Sequence, residues 1–197
     1  MTAAESSAAA ILALPDPDWL YHHLTVEGPA AAMAEFRAAA AGPGLIPWAL
    51  DEERMEENWL HLLLAPPPHR RTLSLEGARI LAGQLREAVA RQQARAAGLV
   101  GVSRACPLDL NALLPVPPEL LRLGPEHPRA LRWLWAEWGT TRALRHVRIL
   151  PPRPRQPPGM LRLCFWSADW TPWPALLAMR QRWPLLRFEI RPIYDES

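Results

Sequence analysis

The 197-residue chain carries 22 basic and 20 acidic side chains, a formal charge of +2, with 49% hydrophobic and 21% charged residues. That balance supports a packed core and excludes both a disordered chain and a globally polycationic nucleic-acid binder. Every basic residue is arginine and lysine is absent, which removes Schiff-base chemistry, a pyridoxal-phosphate anchor and a Walker A phosphate loop.

Cys106 and Cys164 belong to no CxxC pair and are read as reduced core thiols. The apolar run from Ala8 to Leu14 is too short to span a membrane and is followed by Pro15. A cytoplasmic protein without membrane association is expected. The length lies at the upper edge of a single domain, so one domain over 19–197 is expected after a lead-in at 1–18.

In chain order, the partial alternation from Trp19 to Glu27 predicts a strand with Leu24 and Val26 on one face and Tyr21 and His23 on the other. Gly28-Pro29 opens a helix carrying Met33, Phe36 and Ala40 at helical spacing. The apolar stretch within 58–65 is read as a strand. After Pro66-Pro67-Pro68, the stripe Leu73, Gly77, Leu81, Leu85 and Ala88 predicts a helix from about 73 to 97. Segment 106–121 has too many prolines for a continuous helix and reads as packed coil with buried leucines. A helix over 125–138 presents Leu131, Leu134, Trp135 and Trp138, and Gly139 suits the left-handed position that ends it. Strands at 144–150 and 161–166 flank a proline-rich loop. Thr171 is a natural N-cap before Pro172, for a helix expected to bury Trp173, Leu176, Leu177 and Trp183. The last strand runs from Leu186 to Ile193.

Four stretches recur in the same order in a known family: Trp-Leu-Tyr-His-His-Leu-Thr-Val-Glu-Gly-Pro at 19–29, Leu-Asp-Leu-Asn-Ala-Leu-Leu-Pro-Val-Pro at 108–117, Trp-Ala-Glu-Trp-Gly-Thr-Thr at 135–141 and Phe-Trp-Ser-Ala-Asp-Trp-Thr-Pro-Trp-Pro at 165–174. On these the chain resembles the uncharacterised proteins of phages, plasmids and integrated elements that carry a ferredoxin-like domain. The match covers 19–42 and 106–195. The resemblance implies a mobile-element origin and a ferredoxin-like βαββαβ core, and it supplies no catalytic residues. The fold class expected is therefore α+β: an antiparallel sheet with helices on one face, split by a large, partly helical insertion at about 43–143.

No catalytic motif is present, and no cofactor or metal is expected. His22 and His23 are neighbours in a strand and point to opposite faces, so they cannot simply chelate one ion. The acidic run Asp51 to Glu57 is read as a solvated face.

One constellation is sharper. With helices covering Leu24, Val26, Leu161, Leu163, Phe165, Phe188 and Ile190, the opposite sheet face receives Tyr21, His23, Arg162, Cys164, Trp166, Arg187, Glu189 and Arg191. Aromatic side chains on central strands flanked by arginines are what single-stranded RNA readers of this topology use. The candidate binding residues are thus Tyr21, His23, Arg162, Trp166, Arg187 and Arg191. The insertion is nevertheless expected to fold across this face, because its amphipathic helix must bury its stripe somewhere. The leading expectation is a non-catalytic accessory protein acting through a protein partner or self-association. The alternatives are single-stranded nucleic-acid binding on the open sheet face and, third, an enzyme of unidentified type.

Overall fold

The computed structural model describes residues 17–152, 154 and 159–193; the lead-in before Pro17 lies outside them. The element order is β1 (Trp19–Glu27), α1 (Ala30–Ala40), α2 (Glu52–Leu64), a 3-10 turn (Pro68–Arg70), α3 (Leu75–Leu99), α4 (Leu110–Leu113), α5 (Pro118–Leu121), α6 (Pro128–Glu137), β2 (Arg145–Ile149), β3 (Leu161–Ala168), α7 (Trp173–Arg182) and β4 (Arg187–Ile193). The fold is mixed α+β. Its four strands form one sheet in the order β2-β3-β1-β4, with every neighbouring pair antiparallel.

Strict alternation sets the buried face. His22, Leu24 and Val26 of β1 lie opposite Phe165, Leu163 and Leu161 of β3, and all six are buried. Phe188 and Ile190 of β4 sit beside Val26 and Leu24 and pack on the same core. Against this face lie Met33, Phe36 and Ala40 of α1, Leu110 and Leu113 of α4, Leu134 of α6, and Leu176 and Met179 of α7. Phe36 makes edge-on contacts with both Trp183 and Phe188, at centroid distances of 5.2 and 5.3 Å. Pro192 is tolerated inside β4 because that strand is an edge, where no partner needs its missing N–H.

Several expectations are corrected. Residues 52–64 are a helix, not a strand near 58–65. Asp51 caps it through a hydrogen bond from the Arg54 N–H, and Glu52 and Glu53 favour its first turn. Segment 106–121 contains two single helical turns, α4 and α5, although Leu108, Leu110, Leu113 and Leu120 are buried as anticipated. The N-cap of α7 is Pro172, not Thr171. Leu176 of α7 and Trp183, its C-cap, are buried, whereas Trp173 and Leu177 stand 50% and 54% exposed.

The insertion does not cover the sheet. α3 does not bury the expected stripe, of which Leu85 and Ala88 are exposed; it turns the line of Ala78, Ala82 and Arg86 inward, and with α2 forms an antiparallel hairpin tied by an Arg86–Glu56 ion pair at 2.9 Å. Only Ala78 and Ala82 of α3 are fully buried. At the base of the hairpin, the Gln93 side chain accepts from the Leu50 N–H and donates to Glu52. Gly139 adopts φ +76°, and its N–H donates to the carbonyls of Leu134 and Trp135 to end α6.

Candidate functional site

The second face of the sheet is built by register. Tyr21 of β1 lies directly opposite Trp166 of β3, His23 opposite Cys164, and Thr25 opposite Arg162. On the other flank His23 meets Arg191, Thr25 meets Glu189 and Glu27 meets Arg187. All six sequence-selected residues, Tyr21, His23, Arg162, Trp166, Arg187 and Arg191, therefore share one face. Trp166 is 37% exposed, and Tyr21, His23 and Arg162 are half-buried.

Three further members join them, two of which simple alternation hides. Arg145 and Arg148 are three apart, so a regular strand would send them to opposite faces. A register shift in β2, with His146 at φ +50°, restores them to one side, where they pair with Trp166 and Cys164. Val147 is left to pack against the core. The third is Trp19, opposite Ala168, which the alternation of β1 itself puts on the face of Tyr21. The Arg145 guanidinium lies 3.9 Å from the Trp19 ring centroid, a cation–π contact.

The aromatic centre is ordered by its neighbours. The Tyr21 and Trp166 rings are 5.1 Å apart and tilted by 39°, and the Tyr21 and His23 rings meet edge-on at 5.2 Å. The Tyr21 hydroxyl lies 3.3 Å from His23 Nε2. A hydrogen bond to Cys164 and partial burial push the Tyr21 phenol up to about 12, against a smaller opposing pull from Arg148, so it is neutral and a donor at physiological pH. Cys164 itself is buried beneath this layer.

Around the rings stand Arg145, Arg148, Arg162, Arg187 and Arg191, with Glu27 and Glu189 the carboxylates in register with them. Glu189 bridges the two β4 arginines: Arg191 Nε donates to it at 2.7 Å, and Arg187 Nη2 lies 4.0 Å away. Both arginine side chains remain about three-quarters exposed, at 76% and 74%. Arg162 donates to the Pro151 carbonyl at 3.1 Å. The result is a cationic rim around the exposed Trp166 and the half-buried Tyr21.

On the core face, His22 is fully buried. Its Nδ1 faces the Leu20 carbonyl at 2.9 Å, an acceptor only, so Nδ1 carries the proton and Nε2 accepts from the Thr171 hydroxyl at 2.9 Å. That long-range bond is what occupies Thr171 in place of capping. Burial holds the imidazole below its ordinary 6.5. Ser167, 3.4 Å from His22 Nδ1, donates to the Trp170 carbonyl, and Asp169 accepts from Thr141 at 2.7 Å rather than approaching the histidine. The arrangement joins chain segments; the two side chains of a Ser–His pair are here both sealed from solvent. Burial likewise pushes the Cys106 thiol up. Among the described residues, no group of three or more His, Cys, Asp or Glu could hold a metal ion, and no helix is long and apolar enough to cross a membrane.

Fold and site together define an α+β protein with an antiparallel four-stranded sheet, one face packed by helices and the other presenting aromatics and arginines. A comparison of the whole fold finds similarity to the crystal structure of protein api92 from Yersinia pseudotuberculosis, of the DUF1281 family, at 14% identity and a TM-score of 0.46 over 90% of each chain. No protein-family model and no curated protein matches the chain.

Proposed function

We propose that the open sheet face docks single-stranded nucleic acid, with Trp166 and Tyr21 stacking bases and the surrounding arginines pairing phosphates. The observation that carries this reading is the Tyr21–Trp166 pair, on directly opposed positions of the two central strands, enclosed by five arginines and two carboxylates. Base stacking on an aromatic is tolerant of sequence and is worth roughly 1–3 kcal/mol per base. The rim supplies the complementary charge. This reading is placed ahead of a protein partner because Trp166, on the face that the insertion was expected to cover, is 37% exposed.

The reading includes the core itself. We take the sheet with its helices as a ferredoxin-like unit, supported by the central placement of β1 and β3, by β4 beside β1 and β2 beside β3, and by core helices following β1 and β3. The mobile-element setting rests on the four sequence motifs alone.

The test is a fluorescence titration of the full chain with a mixed-sequence single-stranded oligonucleotide at low salt. Micromolar binding with quenching, lost in a folded Trp166→Ala variant, is the expected result; saturable binding unaffected by Trp166→Ala sinks the proposal, as does no binding.

A second reading has its own observation. Trp170, Trp173, Leu177 and Leu185 are all at least half exposed, at and around α7, with Arg180 and Arg182 in its last turn. An apolar ridge of this kind favours a protein partner, which supports an accessory role through protein contact on the helical side of the molecule.

A further inference from the structure

Beside the open face lies a cleft of about 420 Å³, walled by Ile46 and Trp48 of the segment between α1 and α2, by Gln92 of α3, and by Arg142, Ala143 and Arg145 leading into β2. The volume falls in the lower part of the range for small-molecule sites, roughly 300–1,000 Å³, room for one base with its sugar. Its chemistry is mixed in the way a base requires. Trp48 and Ile46 are half-buried and pack against the core, offering fixed apolar walls, while the Gln92 carboxamide is exposed at its edge. The Arg142 guanidinium is held by Glu126 at 2.8 Å and is only 25% exposed, so it is a positioned group rather than a mobile one. Arg and Gln are side chains able to pair with base edges.

Continuity with the aromatic face comes through one residue. Arg145 lines the cleft, is the register partner of Trp166 and stacks on Trp19. A strand laid over Tyr21 and Trp166 and continuing past Trp19 thus meets an arginine that borders both places. We infer that the cleft is a subsite for a single nucleobase, turned off the sheet at Arg145 and received between Trp48 and the Gln92–Arg142 edge. The inference rests on the proposed single-strand docking and names where that strand leaves the sheet.

The experiment measures affinity against length for oligonucleotides of about two to ten nucleotides, by anisotropy, for the full chain and two variants. Ala143→Leu fills the cleft and Trp48→Ala removes its wall; thermal melting checks that each still folds. The sheet takes two or three bases, so the shortest oligonucleotides report the sheet alone. Wild type is expected to gain about tenfold once the oligonucleotide outgrows the sheet, consistent with one further stacked base. Both variants should lose that step and retain the wild-type affinity for the shortest lengths. A step that survives in both folded variants, or its absence from wild type while short oligonucleotides still bind, overturns the cleft and leaves the sheet reading standing. Absence of binding at every length overturns both.

Discussion

Tyr21 and Trp166 face each other across the β1–β3 ladder with ring centroids 5.1 Å apart, close to the Cβ separation that antiparallel register imposes on directly opposed residues. The backbone fixes where the two side chains start, and their rotamers keep the rings in contact. The Tyr21 hydroxyl is held by neighbouring side chains rather than free to rotate in solvent.

The first prediction reads that environment. Tyr21 and Tyr194 are the two tyrosines of the chain, so a Tyr194→Phe background isolates Tyr21. Ultraviolet absorbance should then titrate with a midpoint near 12, and adding Cys164→Ala should return it toward 10, because the hydrogen bond that favours the neutral phenol is gone. A midpoint near 10 before the cysteine is changed would contradict the geometry of this face.

The second concerns His22, whose folded pKa is lowered by burial. Its neutral form fits the site, so its contribution to stability is complete above 6.5. As pH falls below 6.5 the unfolded chain takes up a proton that the folded chain refuses, and stability drops by up to about 1.4 kcal/mol per pH unit until the folded value is reached. Asp109 acts in the opposite sense. Burial raises its carboxyl above 3.8 despite hydrogen bonds from Gly44, Asn111 and Ala112, so its ionisation costs stability as pH rises through the folded value. Urea unfolding at pH 7.5, 6.0 and 5.0 should therefore show a decline that His22→Asn flattens; an identical decline in the variant assigns the slope elsewhere.

The alternation in β1, β3 and β4 was legible because each strand has one face in the core, and a period of two leaves no freedom about which residues go there. That alone placed all six candidate residues together. Arg145 and Arg148 were not legible, since the bulge that brings them to the same side is a backbone feature with no turn residue to announce it. The run from Trp59 to Leu64 read as a strand because short apolar runs suit either element; what decides it is the capped acidic first turn and the line of Ala78, Ala82 and Arg86 on α3. With α2 and α3 packed on each other, the insertion has no need of the sheet, and the expected coverage disappears for the same reason the strand assignment does. Trp173 and Leu177 read as inward together with Leu176 and Trp183 on one helical stripe, but Ala175, Leu176, Met179 and Trp183 already fill the inward arc.

The third prediction tests the core at the point where three aromatics meet. Phe36 is fully buried and touches both Trp183 and Phe188 edge-on, so Phe36→Ala should cost roughly 3–5 kcal/mol. Phe188 is only half-buried on the edge strand and its truncation should cost clearly less. Denaturant midpoints for the two variants decide it: equal losses would mean that β4 is packed more deeply than its exposure indicates.

The last prediction uses Glu189 to separate charge from stacking. Its carboxylate sits between Arg187 and Arg191 and competes with any phosphate for both guanidinium groups. Exposed ion pairs of this kind contribute little to folding, typically 0–1 kcal/mol, so Glu189→Gln should leave the melting temperature almost unchanged. On the nucleic-acid reading it removes a repelling charge and frees two donors, so affinity for a single strand at low salt should rise several-fold. Each phosphate contact adds about 0.7 to the magnitude of the log–log salt slope for single strands; the slope should steepen in Glu189→Gln and become shallower in Arg187→Ala and Arg191→Ala. Trp166→Ala, by contrast, should weaken binding at every salt concentration while leaving the slope unchanged, because a stacked base releases no counterion. Were Glu189→Gln to bind no better than wild type, with the arginine variants keeping the wild-type slope, the β4 edge would not lie on the path of the strand.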